Sequence, residues 1–406
     1  MVAKQAESSV VTDEFWQRVE PLTPARTAAD KIFCGQIPMP IPHLRHLERL
    51  LSQGRARSVR ASFIKPLPPG SVARVGIAAG QPATVIAKWS RTRTHGPRAD
   101  PNLLRTEAAS LYFLDEIGFE RAPRLIAADA DVLLLEDLAP RRPLDELLIE
   151  RGQNGCKAQL LDYARTLGEL GARSAGLQSR FDTICSRHGL AARPLSDTGL
   201  GAEWRISSLT LEAERIAPSG PAAAELEAIA AELSAPGPFL AFSNGDVQVN
   251  NFLAGEDDDG RLIDFEGGGF RHALSAGVLF HTPGTAWITV TDPFAHDLEE
   301  AFRATLERKI PEAGDDEKFG QGFAAATLAW ACTRLTRLAQ LDARPAGDPS
   351  RLQMLVTLES ATAVARRHRQ WLHAAEWMER TAGSLRQRWP DANIDLAALK
   401  PYTPRC

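Results

Sequence analysis

Strand-forming pattern in this chain is concentrated in one early stretch, and that segregation limits how the chain can be arranged. Three β-patterned runs at 58–65, 72–78 and 83–89 are separated by the turns Pro66-Leu67-Pro68-Pro69-Gly70-Ser71 and Gly80-Gln81-Pro82, which predicts an antiparallel meander. A helix is expected to begin near Asn102. Two further strands follow at 124–128 and 132–135, and the second runs directly into Glu136-Asp137-Leu138-Ala139-Pro140, a Pro-containing connection of the kind that hinges two lobes. Downstream the pattern is helical over 144–151, 156–175, 203–216, 221–233, 295–306, 318–341, 350–373 and 376–389. The Ala/Leu-rich faces of these segments are explained by core packing, and no fixed period suggests a repeat architecture. Residues 1–57 read as a helical preface, with short helices opening at Asp13-Glu14-Phe15-Trp16 and spanning 41–52.

With 406 residues the chain can form two or three domain-sized units with substantial cores. A hydrophobic content of 44% and a charged content of 24% are those of an ordinary globular protein. The net charge of −4 offers no bulk attraction to nucleic acid or to an anionic membrane, so neither is expected as a partner. Five cysteines, odd in number and without a CxxC pair, argue against a disulfide framework or a zinc site. The first twenty residues carry charges and no apolar core segment, so no signal peptide and a cytoplasmic location are expected. The longest stretch lacking Asp, Glu, Lys and Arg, 272–291, is broken by Pro283 and several Gly and Thr, and does not read as a membrane span.

The chemistry-bearing stretch is 239–270, FLAFSNGDVQVNNFLAGEDDDGRLIDFEGGGF. Asp246 follows an apolar run and a glycine, Asn251 comes five residues later, and Asp264 thirteen after that. Transfer of a γ-phosphoryl group needs a carboxylate near the acceptor hydroxyl and oxygen ligands that hold Mg²⁺ against the phosphates. Asp246 suits the first role, Asn251 and Asp264 the second, because hard Mg²⁺ takes a sparse set of carboxylate or amide oxygens. Residues 251–254 and 261–264 read as short strands joined by a Gly/Asp turn, a hairpin that would bring Asn251 and Asp264 together. Each of these residues alone also fits an ordinary turn, where Asp and Asn are favoured. Upstream, Lys88 lies among apolar residues of the third strand and would need an anionic partner if it points inward. Glu107, on the helix that follows, is a candidate for that partner.

Taken in order, the meander with Lys88, the helix with Glu107, the Leu-Glu-Asp-Leu hinge, Gly-Asp-x4-Asn and Ile-Asp-Phe-Glu resemble the aminoglycoside phosphotransferase family of small-molecule kinases, over residues 58 to 270. The resemblance implies an α+β, two-lobed protein-kinase-like fold, with a small antiparallel-sheet N-lobe over 58–138 and a large, mainly helical C-lobe over 139–406. It implies that Lys88, held by Glu107, contacts the α- and β-phosphates of ATP or GTP. Asp246 would position or deprotonate the acceptor hydroxyl, Asn251 and Asp264 would ligate Mg²⁺, and backbone groups around Glu136 and Leu138 would bond the adenine edge. Gly70 and Ser71 would cover the phosphates, the glycine allowing close backbone approach.

The chain departs from the family pattern at three places. Asn244 stands where a His is usual, and its amide can still bond the loop. The phosphate-covering turn has one Gly among three prolines. Gly267-Gly268-Gly269 follows Glu266 without the downstream aspartate frequent in the family. No GxxxxGK[ST] motif occurs. The expected activity is phosphoryl transfer to a hydroxyl of a small metabolite or an aminoglycoside-like acceptor, with Glu266 permitting a cationic one. The alternative is a catalytically silent kinase-like protein that binds nucleotide or a partner. Acceptor identity, nucleotide preference and oligomeric state are not encoded legibly.

Overall fold

Alternation in the early strands sends neighbouring residues to opposite faces, so the sheet they form can be covered on both sides. The computed structural model describes residues 41–53, 58–67, 71–78, 82–89, 102–191, 211, 216–256, 258–290 and 294–405. Strands β1 (Arg60–Leu67), β2 (Val72–Ala78), β3 (Thr84–Trp89), β4 (Leu125–Ala128) and β5 (Val132–Glu136) make one antiparallel sheet in the order β1-β2-β3-β5-β4. The expected meander is therefore its first three strands, and the pair before the hinge completes it.

One face carries Val75, Ile77, Val85, Ala87, Val132 and Leu134, which pack with Leu47, Leu50 and Leu51 of helix α1 (Ile41–Ser52). The described part of the preface thus caps the outer face of the sheet. It is further tied down by a His46–Asp129 contact and by the Ala61 amide, which donates to Glu48 at 3.0 Å. The earlier helix expected at Asp13 lies outside the described residues. The opposite face, with Leu133 and Leu135, packs against Leu104, Ala108 and Leu111 of helix α2 (Asn102–Glu116). Lys88 lies between Ala87, which faces α1, and Trp89, so strand alternation directs it to the α2 side.

Beyond the hinge, β6 (Arg142–Pro143) pairs with β8 (Phe252–Ala254), which pairs with β9 (Arg261–Leu262). Separately, β7 (Leu240–Ser243) pairs with β10 (Gly269–His272). The other C-lobe elements are helices: α3 (Leu144–Gly155), α4 (Lys157–Ser174), α5 (Gln178–Arg187), α6 (Pro221–Ser234), α7 (Phe294–Leu306), α8 (Asp316–Leu335), α9 (Leu338–Asp342), α10 (Pro349–His368) and α11 (Leu372–Arg388). Of the helix expected over 203–216, only Leu211 and Ile216 fall among the described residues.

Three helical expectations need correction. Helix α5 has no counterpart in the sequence reading. The expected 318–341 helix is two, broken at Thr336 and Arg337. The expected 350–373 helix ends at His368, because Arg369 turns left-handed (φ 56°) and the Gln370 amide reaches back to the Ala365 carbonyl at 3.0 Å. This 6→1 closure ordinarily uses glycine. Here an arginine occupies the position, so the usual stop signal was missing and α11 begins earlier than expected.

Candidate active site

The β8–β9 hairpin brings Asn251 and Asp264 together as expected. Phe252 pairs with Leu262, and the Ile263 amide donates to the Asn251 carbonyl at 2.9 Å. Asp264 then takes a left-handed conformation (φ 63°) before the 3₁₀ turn Phe265–Gly267. A non-glycine residue held there is backbone strain of the kind that collects at functional sites. Gly245 is also left-handed (φ 88°), and a Cβ on it would lie 2.3 Å from the Gly267 carbonyl oxygen. The loop before Asp246 and the turn after Asp264 can approach this closely only with glycine.

Lys88 reaches this turn from the sheet. Its Nζ lies 2.6 Å from Glu107 Oε2 and 3.1 Å from Glu266 Oε2, and it also contacts Asp264 Oδ1. The Glu107 contact is ionic, without hydrogen-bond alignment. The Lys88 side chain is 13% exposed and that of Glu107 1%. Burial alone would lower the Lys88 pKa. The carboxylates of Asp264, Glu107 and Glu266 outweigh it and hold the ammonium well above the ordinary lysine range. Glu107 also accepts from the Phe265 amide at 3.4 Å, joining α2 to the Asp264 turn. Glu266, raised from sequence only as a contact for a cationic acceptor, therefore belongs to the lysine cluster.

Asp246 presents its surface to solvent while protein crowds its other sides. Desolvation by the surrounding protein, followed by the nearby Asp264 carboxylate, pushes its carboxyl up to about 6. The Gln248 amide and the Asn251 side chain favour the ionised form but do not cancel the rise. Asn251 donates through Nδ2 to the Asp246 carbonyl at 3.2 Å and accepts at Oδ1 from Asn250 Nδ2 at 2.9 Å. Asn244 is fully buried and donates to the carbonyls of Asp246 at 2.8 Å and Ile263 at 3.4 Å. Its amide bridges the two halves of the site, which is the loop-holding role expected of it.

At the hinge, the Glu136 amide donates to the Arg124 carbonyl at 2.9 Å, and the Leu138 carbonyl accepts from Arg141 N at 3.1 Å. Asp137, between them, is pinned by Arg74 Nε of β2 at 2.6 Å, a contact the sequence reading missed because strand arginines normally read as solvent-facing. Ser71 is buried, and its carbonyl accepts from Trp89 N at 3.0 Å, which places the end of the turn between β1 and β2 beside the strand that carries Lys88. Gly70 lies outside the described residues.

The protein thus combines five antiparallel strands, a helix whose glutamate meets a strand lysine, and a helical lobe that carries the Asp246/Asn251 loop and Asp264. The fold is two-lobed and protein-kinase-like. Solved structures similar to it include an aminoglycoside phosphotransferase from Alicyclobacillus acidocaldarius (15% identity, 88% of this chain and 98% of that one, TM-score 0.44). A choline kinase from Cryptosporidium parvum (11% identity, 86% and 96%, TM-score 0.42) and a macrolide 2'-phosphotransferase from Brachybacterium faecium (14% identity, 74% and 94%, TM-score 0.45) are also similar. No family model matches the chain, and no curated protein does. No helix among the described residues is long and apolar enough to cross a membrane.

Proposed function

We propose that the protein transfers the γ-phosphoryl group of ATP or GTP to a hydroxyl of a small molecule. The observation that carries this reading is the convergence of Lys88, Glu107 and Asp264, drawn from a strand, a helix and a turn, near the Asp246 loop. In this reading Lys88 contacts the α- and β-phosphates, and Glu107, buried beneath it, fixes its position. Asp246 orients the acceptor hydroxyl and takes its proton, which a carboxyl with a pKa near 6 can do at neutral pH. Ser71 and the turn before it cover the phosphates, and the backbone near Glu136 and Leu138 receives the base.

Glu107, Asp264 and Glu266 place carboxylate oxygens within 4.8 Å of one another. Among the described residues Lys88 is the cation that contacts all three, one positive charge against three carboxylates, and the donors are hard oxygens. This chemistry fits Mg²⁺. Asp264 and Asn251 would hold the ion, which when bound would neutralise charge on the phosphates.

The test is to incubate purified protein with Mg²⁺ and γ-labelled ATP or GTP over pooled metabolites and aminoglycosides, with Asp246→Asn as control. Label is expected to move to a small molecule with the wild type only. Nucleotide binding without transfer from either donor would overturn the reading in favour of a silent nucleotide-binding protein. Full transfer by Asp246→Asn would refute the role given to that carboxylate.

A further inference from the structure

Two residues beyond Asp246, Gln248 is buried, although polar side chains in catalytic loops are commonly solvated. Its backbone amide donates to Asp246 Oδ1 at 3.3 Å. Its side-chain Oε1 accepts from the Thr285 amide at 3.2 Å. The neighbouring Gly284 is packed so closely that a Cβ there would lie 2.5 Å from that same oxygen. One residue thus holds the proposed base with its main chain and the segment 284–289 with its side chain.

That segment is itself held from two further directions. Gln353 of α10, also buried, donates through Nε2 to the carbonyls of Gly284, Thr285 and Trp287. The tail at 400–405 runs antiparallel to it: Ile288 N donates to Thr403 O at 2.9 Å, Arg405 N to Ala286 O at 2.9 Å, and Arg405 Nη1 to Gln353 Oε1 at 3.4 Å. Tyr402 packs edge-on against Trp287, with ring centroids 5.4 Å apart. Thr285 Oγ1 and Trp287 Nε1 are buried without a hydrogen-bond partner among the described residues. The groups given to the nucleotide belong to β3, α2, the hinge and the Asp264 turn, whereas this assembly ties to Asp246 from the helical lobe.

We propose that segment 284–289, braced by Gln353 and the 400–405 tail, is the acceptor-side wall, and that Gln248 is a positioning residue that sets the Asp246 carboxylate relative to it. This rests on the phosphoryl-transfer reading above. Buried polar networks of this kind are rigid when satisfied, and loss of one member is felt by the rest. A displacement of about 1 Å at a reacting group can cost on the order of 100-fold in rate.

The test compares Gln248→Met, which keeps the volume but removes the acceptor oxygen, with Gln248→Glu, which keeps an oxygen for the Thr285 amide. In the full chain, with γ-labelled ATP and the acceptor pool that gives most transfer, Gln248→Met is expected to lower kcat by roughly 10- to 100-fold while Mg·ATP binding is unchanged. Gln248→Glu is expected to restore most of kcat. Hydrogen exchange in peptides covering 284–289 and 400–405 should accelerate in Gln248→Met and not in Gln248→Glu, and Gln353→Met should add little to Gln248→Met. Wild-type kcat in Gln248→Met, equal loss in both Gln248 variants, or unchanged exchange in both peptides would overturn the inference. Absence of transfer by the wild type would instead refute the phosphoryl-transfer reading on which it rests.

Discussion

At the residue scale, the raised pKa of Asp246 has a defined consequence. A base must be deprotonated to accept a proton, and desolvation by the surrounding protein together with Asp264 moves that deprotonation up to about 6. Transfer measured as kcat/KM should therefore rise as pH increases through about 6 and level off above it; a profile flat from about pH 5 to 7 would refute Asp246 as the base. Asp246→Asn should lower transfer by about 10²- to 10⁴-fold while sparing nucleotide binding. Its thermal midpoint should not fall, because the substitution removes a crowded negative charge beside Asp264. The spacing of Asp246, Asn251 and Asp264 was legible in the sequence because a loop and a hairpin are local. Of the partners of Lys88, Glu107 on the next helix was legible; Asp264 and Glu266 were not, since Asp264 lies 176 residues away along the chain.

At the element scale, the helical lobe is joined through one buried carboxylate that no local pattern announces. Glu299 of α7 contacts His281 Nε2 at 2.6 Å, after the 3₁₀ segment Ala273–Phe280, and His368 Nε2 at 3.1 Å, in the last turn of α10. Burial opposes its ionisation, but bonds from His281 and His368 outweigh that and hold the carboxyl well below the ordinary range. A group with a depressed folded-state pKa contributes stability above its unfolded value, and that contribution is lost as pH falls toward the folded one. Glu299→Gln should accordingly cost about 3–5 kcal/mol at neutral pH, and the difference from wild type should shrink in acid below about pH 4. Urea denaturation at both pH values checks this; a difference independent of pH would show that the ion pairs are not its source. Most helix positions were readable from periodicity, but α5 and the break after Leu335 were not, nor was the break after His368, where the left-handed closure uses Arg369 in place of the glycine that would have signalled it.

At the scale of the whole molecule, the sheet and the helical lobe are latched beside the β8–β9 hairpin. Arg121, which leads into β4, donates to Asp162 Oδ1 of α4 at 2.6 Å and to Thr166 Oγ1 at 2.8 Å, and its carbonyl accepts from Leu262 N at 2.9 Å. Asp162 in turn accepts from Gly260 N at 2.9 Å. The Gly/Asp turn of the hairpin is thus joined to the sheet side through Arg121, and Arg141 of the helical lobe holds it through Asp259. Arg121→Ala leaves Asp162 buried without its cation and should cost roughly 3 kcal/mol in chemical denaturation; an unchanged midpoint would remove Arg121 as a latch. The sequence by itself determined the order of the five strands of the main sheet and of most helices, the hairpin and the spacing of the loop residues. Those depend on side-chain periodicity, turn chemistry and proximity along a few residues of backbone. Only the tertiary structure decided that α1 caps the sheet, that Lys88 meets three carboxylates, that Glu299 bridges two histidines, and that Gln248 joins Asp246 to the 284–289 segment. Each of these contacts forms because burial must pair polar and charged groups wherever the packed elements bring them together, and that meeting point follows from the packing of the whole chain rather than from any one stretch of it.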